Sequence, residues 1–313
     1  MGLSTNREEH TMFDLKTQIS DFLCYCKDRK VLNEKTIKAY SIDLRQFVQF
    51  SKQKYNKDVI CSYISFLHNT YKPKTAKRKI ATLKAFTHYL MVEDIIEINP
   101  FDKIDTSFRE PALLPKIIPL DIIKKILAAA YSELSSASTL YKKKAASRDV
   151  AVLEILFATG ARVSEVCSLA SNDVNITDHA IKFYGKGSKE RIIQIENISD
   201  RNAIDNYRNL FENDIIVSGY FFVNKLHKRL TEQSVREMIN KYAKLSESNM
   251  HITPHMFRHS FATLLLEEDV DIRYIQKLLG HSSITTTQIY THVAMTKQRE
   301  ILSAKHPRNK INL

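Results

Sequence analysis

Three prolines within nine residues, Pro111, Pro115 and Pro119, interrupt this 313-residue chain. Each proline fixes φ near about −65° and removes a backbone donor. No helix or central strand can therefore run through "TSFREPALLPKIIP", and residues 106–118 read as an extended linker. Two units must fold on either side of it. A chain of this length supplies them at roughly 150 residues per domain.

Before the linker the pattern is helical throughout. A polar tail, residues 1–11, precedes a helical domain over 12–105. Phe13, Ile19, Phe22 and Leu23 give the first helix, Met12 to Lys27, its apolar face. Asn33 is placed to cap a second helix bearing Ile37, Tyr40, Leu44, Phe47 and Val48. Asp58 is read as the cap of a third, through Ile60, Ile64 and Leu67, and a fourth is expected from Thr75 to Val92. Its opening turns, "AKRKIATLK", set Lys77, Arg78, Lys79 and Lys84 around an apolar stripe. Asn99-Pro100 ends the run.

After the linker, residues 119–295 form a second domain, followed by a tail over 296–313. Helices are expected at Asp121–Tyr131, at Arg148–Ala158 with Gly160 as its stop, and at Val163–Ala170. The polar stretch "SELSSASTLYKKKAAS" between the first two reads as a loop carrying Lys142, Lys143 and Lys144. "AIKFY" and "RIIQI" alternate and flank "GKGSKE", which is a hairpin pattern. "YFFV" is a further short strand, and the remainder is helical. The fold class is thus mainly α with a small β-sheet or hairpin in the second domain.

Charge narrows the function classes. The chain carries +12 at neutral pH, and so basic a chain points to a polyanionic partner. No window of about 18 apolar residues exists to span a membrane. The N-terminus is polar and lacks a signal-peptide core, so a cytoplasmic protein is expected. Cys24, Cys26, Cys61 and Cys167 fit no zinc spacing and read as thiols of a reducing compartment.

Four short segments carry polar groups in patterns suited to chemistry. In "ITPHMFRHSFAT", Thr253 and Pro254 open a helix whose first turns bear His255 and Arg258, three residues apart. Phe257, Phe261, Leu264 and Leu265 fall on the largely opposite side, so the His/Arg face is expected to point away from the core. A helix N-terminus with His and Arg suits a phosphate. His255 and His259 resemble a metal pair by spacing, but Met256 replaces the required Glu and Arg258 would repel a cation. In "ATGARVSEV", Arg162 follows a tight turn and Glu165 lies three residues on, able to brace it. In "YGKGSKER", two glycines free a hairpin tip that presents Lys186 and Lys189. In "LLGHSSITTTQIYTH", Tyr290 falls off the apolar face set by Ile289 and Val293. Taken singly, each has an ordinary reading: a surface ion pair, a charged turn, a structural tyrosine.

Together, and in this order, the four segments resemble the tyrosine recombinases, the Xer-type members most of all. The tail "TKQREILSAKHPR" extends the likeness, and the N-terminal half is similar to their helical core-binding domain. The resemblance implies a two-domain DNA clamp with Tyr290 as nucleophile. It implies Arg162, Lys186, His255, Arg258 and His281 as the other catalytic residues, with Glu165 supporting Arg162. Lys77, Arg78, Lys79, Lys84, Lys142, Lys143, Lys144 and Lys189 are the expected DNA contacts.

The implied reaction cleaves and rejoins DNA through a 3′-phosphotyrosyl intermediate, with no cofactor and no metal. The implied partners are double-stranded recombination sites, further copies of the chain in a synaptic tetramer, and an accessory DNA-bending factor or partner recombinase. The length of the 131–147 stretch favours a mobile-element integrase over a chromosome-dimer resolvase. Two alternatives stand beside this: DNA relaxation of the type IB topoisomerase kind, and a non-catalytic DNA-binding regulator on the same fold.

Overall fold

A computed structural model describes residues 14–106, 116–185 and 190–280. The chain divides into two compact units, Met1–Leu113 and Leu114–Leu313.

The first unit is built from helices α1 (Leu15–Asp28), α2 (Glu34–Ser51), α3 (Lys57–Thr70) and α4 (Pro73–Val92). Side-chain caps start three of them. Asp14 accepts from the amides of Lys16 and Thr17, and Asn33 accepts from Lys35 at 2.8 Å. At the third, Asn56 rather than Asp58 is the cap, accepting from Val59 at 2.9 Å. An Asn in extended backbone offers its oxygen to the first-turn amides, whereas Asp58 already lies inside the helix. α4 begins at Pro73, where a missing N–H costs nothing. Phe22, Phe47, Tyr63, Leu67 and Phe86 fill the core, with Phe47 and Tyr63 edge to face at 5.1 Å.

A polar cluster is sealed into this core. Asp43 on α2 is 2% exposed and pairs with Lys79 at 3.0 Å, with Arg78, and with the Thr82 hydroxyl at 3.1 Å. Lys79 is 3% exposed and also donates to Gln46. The expected DNA contact at Lys79 is therefore corrected. Its ammonium serves to neutralise a buried carboxylate, while Lys77, Arg78 and Lys84 lie on the exposed side of α4.

In the second unit, α5 (Leu120–Ser135) and α6 (Leu140–Thr159) are joined by a short connection. The loop expected across 132–147 is mostly helix. Thr139 caps α6 by accepting from the Lys142 amide at 3.2 Å, so the helix begins at Leu140, eight residues before the expected start at Arg148. Lys142, Lys143 and Lys144 are thus helical, and Lys144 is held by Asp214 at 2.8 Å. From Ala146 onward α6 is buried on nearly all sides, packed by α5, by α8 (Ile198–Ser218) and by α10 (Pro254–Glu267). A helix enclosed this way shows no one-sided pattern.

After α6 come the short α7 (Val163–Cys167), a 3-10 turn at Ser171–Asp173, and strands β1 (Val174–Asn175), β2 (Ala180–Tyr184) and β3 (Glu190–Gln194). The three form one antiparallel sheet in sequence order, with Phe183 opposite Arg191 and Tyr184 opposite Glu190. "YFFV" contributes isolated bridges rather than a strand, Ala170 with Tyr220 and Val223 with Arg229. α9 (Glu232–Leu245) precedes α10, and α11 (Ile272–Leu279) follows it.

Candidate active site

The turn "ATGAR" is made by its small and hydroxyl residues. Thr159 ends α6 by donating to Ile155 at 2.6 Å and accepting from Ala161 at 3.1 Å. Gly160 then adopts φ 58°. A side chain there would be strained and would also lie 2.6 Å from the Phe261 ring and 2.8 Å from Leu279. The chain turns sharply and delivers Arg162 to the start of α7, as its extended N-cap residue.

Glu165 fixes that arginine twice. Its Oε2 accepts from the Arg162 amide at 2.8 Å, and its Oε1 accepts from Arg162 Nη1 at 2.8 Å. Burial raises the Glu165 pKa, but the bonds from Arg191 and Arg162 outweigh this and hold it below the usual carboxylate range. Glu165 is therefore a fixed anion. The Arg162 side chain remains 34% exposed, open on its outer side.

Arg258 departs from the simple helical-wheel expectation. It is 5% exposed and points inward, while His255 three residues earlier reaches the surface with its ring partly covered by neighbouring atoms. Its Nη1 donates to the Gly160 carbonyl at 2.8 Å and its Nη2 to the Leu279 carbonyl at 2.6 Å. These are the free carbonyl ends of α6 and α11, where a cation is favoured by the helix dipoles. One guanidinium thereby joins the turn before Arg162 to the turn at Gly280, which directly precedes His281. The wheel separated the two faces correctly for Phe257, but it carried no information on the two carbonyls that draw Arg258 in.

His255 lies in this positive field. Burial lowers its pKa first, and Arg258, Arg162 and Arg236 lower it further. The imidazole is thus neutral at neutral pH, the form able to accept a proton. His259 is shifted down for the same reasons, burial followed by His255 and Arg258. Among the described residues, no cluster of three or more His, Cys, Asp or Glu is arranged to hold a metal.

Arg191, on β3, was missed by reading the sequence for motifs. It donates to Glu165 from Nη2 at 2.7 Å and from Nη1 at 3.1 Å, opposite Arg162. A signal was present. In the alternation Arg191, Ile193, Ile195, the arginine takes an inward phase, and it is 8% exposed. Lys186, Lys189, His281 and Tyr290, together with the linker prolines Pro111 and Pro115 and the C-terminal tail, lie outside the described residues.

Residues 119–297 match the phage integrase family, and residues 19–94 match the phage integrase N-terminal SAM-like domain. The chain belongs to the phage integrase family of tyrosine recombinases. A tyrosine recombinase of Agathobacter rectalis is 55% identical over 308 residues, spanning 95% of this chain and 98% of the relative. The tyrosine recombinase XerC of Thermodesulfovibrio yellowstonii is 35% identical, over 96% of this chain and 99% of the relative. In fold, the chain is similar to XerH recombinase in a post-cleavage complex with its difH substrate. There the TM-score is 0.73 at 20% identity, covering 97% of this chain and 91% of that one. This recombinase is thus an enzyme of site-specific DNA recombination, with the Arg162–Glu165 and His255–Arg258 segments brought together in its second unit.

Proposed function

We propose that the enzyme cuts and rejoins DNA through a covalent tyrosyl intermediate, with Tyr290 as nucleophile. The observation that carries this reading is the fixed arginine pair. Arg162 is braced by a buried anion and Arg258 is locked to two carbonyls, beside a neutral His255. Such fixed cations need no reorganisation when charge develops on a phosphate.

In the reaction, the Tyr290 hydroxyl attacks the scissile phosphorus as the bond to the 5′ oxygen breaks. The products are a 3′-phosphotyrosine and a 5′-hydroxyl. A free tyrosine has a pKa of about 10, so the proton must be drawn off, and His255 is the base within this reading. Lys186 protonates the leaving 5′ oxygen, and His281 bonds a non-bridging oxygen. A 5′-hydroxyl of the partner duplex then reverses the step. Bond energy is kept in the covalent intermediate, so neither ATP nor metal is called for. Arg162 and Arg258 stabilise the charge on the non-bridging oxygens, at about 3–4 kcal/mol for a lost donor.

The substrate is a pair of duplex sites, acted on by four copies of the chain. Lambda integrase, similar in fold, forms such a tetramer on a Holliday junction. Exposed Lys77 and Lys84 on α4, and Lys142 and Lys143 on α6, supply phosphate contacts that position the duplex.

The test is covalent trapping on nicked duplexes carrying the inverted repeats that flank the gene. Wild-type protein is expected to form a protein–DNA adduct and Tyr290→Phe none. An equal yield from both would end the reading. Relaxation of plasmids lacking paired sites would favour the topoisomerase alternative.

A further inference from the structure

The Arg191 side chain occupies a position where the strand pattern calls for a hydrophobe. It shares its inward phase with Ile193 of β3 and with Ile195 just beyond the strand, which are 4% and 3% exposed. Its guanidinium lies over the ring of its cross-strand neighbour Phe183, 4.9 Å from the centroid. Burying a cation there is costly unless it is fully used. It is used on one target. Each oxygen of Glu165 receives one donor from Arg191 and one from Arg162: Oε1 from both Nη1 atoms, Oε2 from Arg191 Nη2 and the Arg162 amide.

This four-donor arrangement has two consequences. A carboxylate held only by Arg162 could turn about its own side-chain bonds and carry the guanidinium with it. Gripped from β3 as well, it cannot turn without breaking both Arg191 bonds. The second consequence is electrostatic. Glu165 alone would cancel the charge of Arg162, whereas one carboxylate between two guanidiniums leaves a net positive site. Arg191 also touches the turn at Gly280, where an added Cβ would lie 3.2 Å from its Cδ and 3.3 Å from its Nη1. Its Nε has no acceptor among the described residues.

We infer that Arg191 is a positioning residue for the cleavage step: it fixes Glu165, and through it the orientation and positive charge of Arg162. It also joins the strand that follows Lys186 to the turn that precedes His281. This rests on the reading of Arg162 as a phosphate ligand.

The experiment measures single-turnover adduct formation and DNA affinity for full-length wild type, Arg191→Met, Arg191→Lys, Glu165→Gln and the double variant Arg191→Met/Glu165→Gln. Arg191→Met is expected to slow adduct formation about 100-fold, as for a lost transition-state donor, with DNA affinity unchanged. Arg191→Lys should recover part of the rate. In the Glu165→Gln background, Arg191→Met should add little, because both changes break one chain of contacts.

Three results would overturn the inference: Arg191→Met cleaving like wild type, losses that multiply in the double variant, or binding lost together with cleavage and no recovery by lysine. If wild type itself forms no adduct, the reading of Arg162 fails instead.

Discussion

Arg258 Nη1 donates to the carbonyl of Gly160 at 2.8 Å, across 98 positions of sequence. That bond, with its partner to Leu279, makes one buried side chain both a cation of the site and a brace between two helix ends. A lysine there keeps the charge but cannot span both carbonyls. Arg258→Lys should destabilise the protein by about 2 kcal/mol in urea unfolding, the worth of one charged hydrogen bond. Adduct formation on nicked DNA should fall in parallel.

Gly160→Ala tests the same joint from its other side. The substituent meets Phe261 and Leu279 in a backbone conformation that L residues avoid. Strain and overpacking together should cost about 2–4 kcal/mol. Because the Gly160 carbonyl must shift, cleavage should drop by more than the unfolded fraction alone explains, as read at a temperature where the variant remains folded.

His255 should titrate below the ordinary histidine value of about 6.5, owing first to burial and then to its three arginine neighbours. The folded form therefore disfavours the imidazolium, and adduct formation should be level above that pH and decline in acid. Arg236 is part of the cause and is half-exposed. Arg236→Gln should move the ring titration, followed by NMR, upward. A downward shift would contradict the assigned sign.

Two lysines of α4 two residues apart should behave oppositely toward DNA. Lys77 is on the exposed face and Lys79 is buried against Asp43. Lys77→Ala should reduce the slope of log affinity against log salt by about 1. Lys79→Met should leave that slope alone and instead cost about 3 kcal/mol of stability by breaking a buried pair.

Asp200 supplies a stability switch away from the site. Burial and the neighbouring Glu154 push its carboxyl up to about 7, against about 3.9 in the unfolded chain. A raised folded pKa contributes stability in acid that is lost as pH rises through about 7. Asp200→Asn, which does not titrate, should gain about 1–2 kcal/mol over wild type near pH 8, the partly exposed carboxyl being screened, and less near pH 5. Thermal melting at the two pH values measures the difference.

The order of chemical segments was fully legible in the sequence, and so were the helical class, the β2–β3 pairing and the capping roles of Asn33 and Gly160. These depend on local propensity, periodicity and turn chemistry, which neighbouring residues decide among themselves. Glu165 was also legible as a brace, because it lies one helical turn from Arg162. The helical state of Lys142–Lys144 was not. A polar stretch reads as a loop until Thr139 caps it, and Lys144 finds Asp214, 70 positions away. The burial of Lys79 and Arg258 was hidden for the same reason: their partners, Asp43, Gly160 and Leu279, come from other elements.

The sequence by itself thus determined which residue types are available and in what order. Tertiary structure alone decided which cations stay exposed and which are buried against partners within the protein, because that choice rests on carboxylates and carbonyls brought close only when distant segments pack. Arg191 shows both sides of this. Its inward phase is written in the strand, but its grip on Glu165 exists only because the sheet that β3 shares with β2 packs against α7.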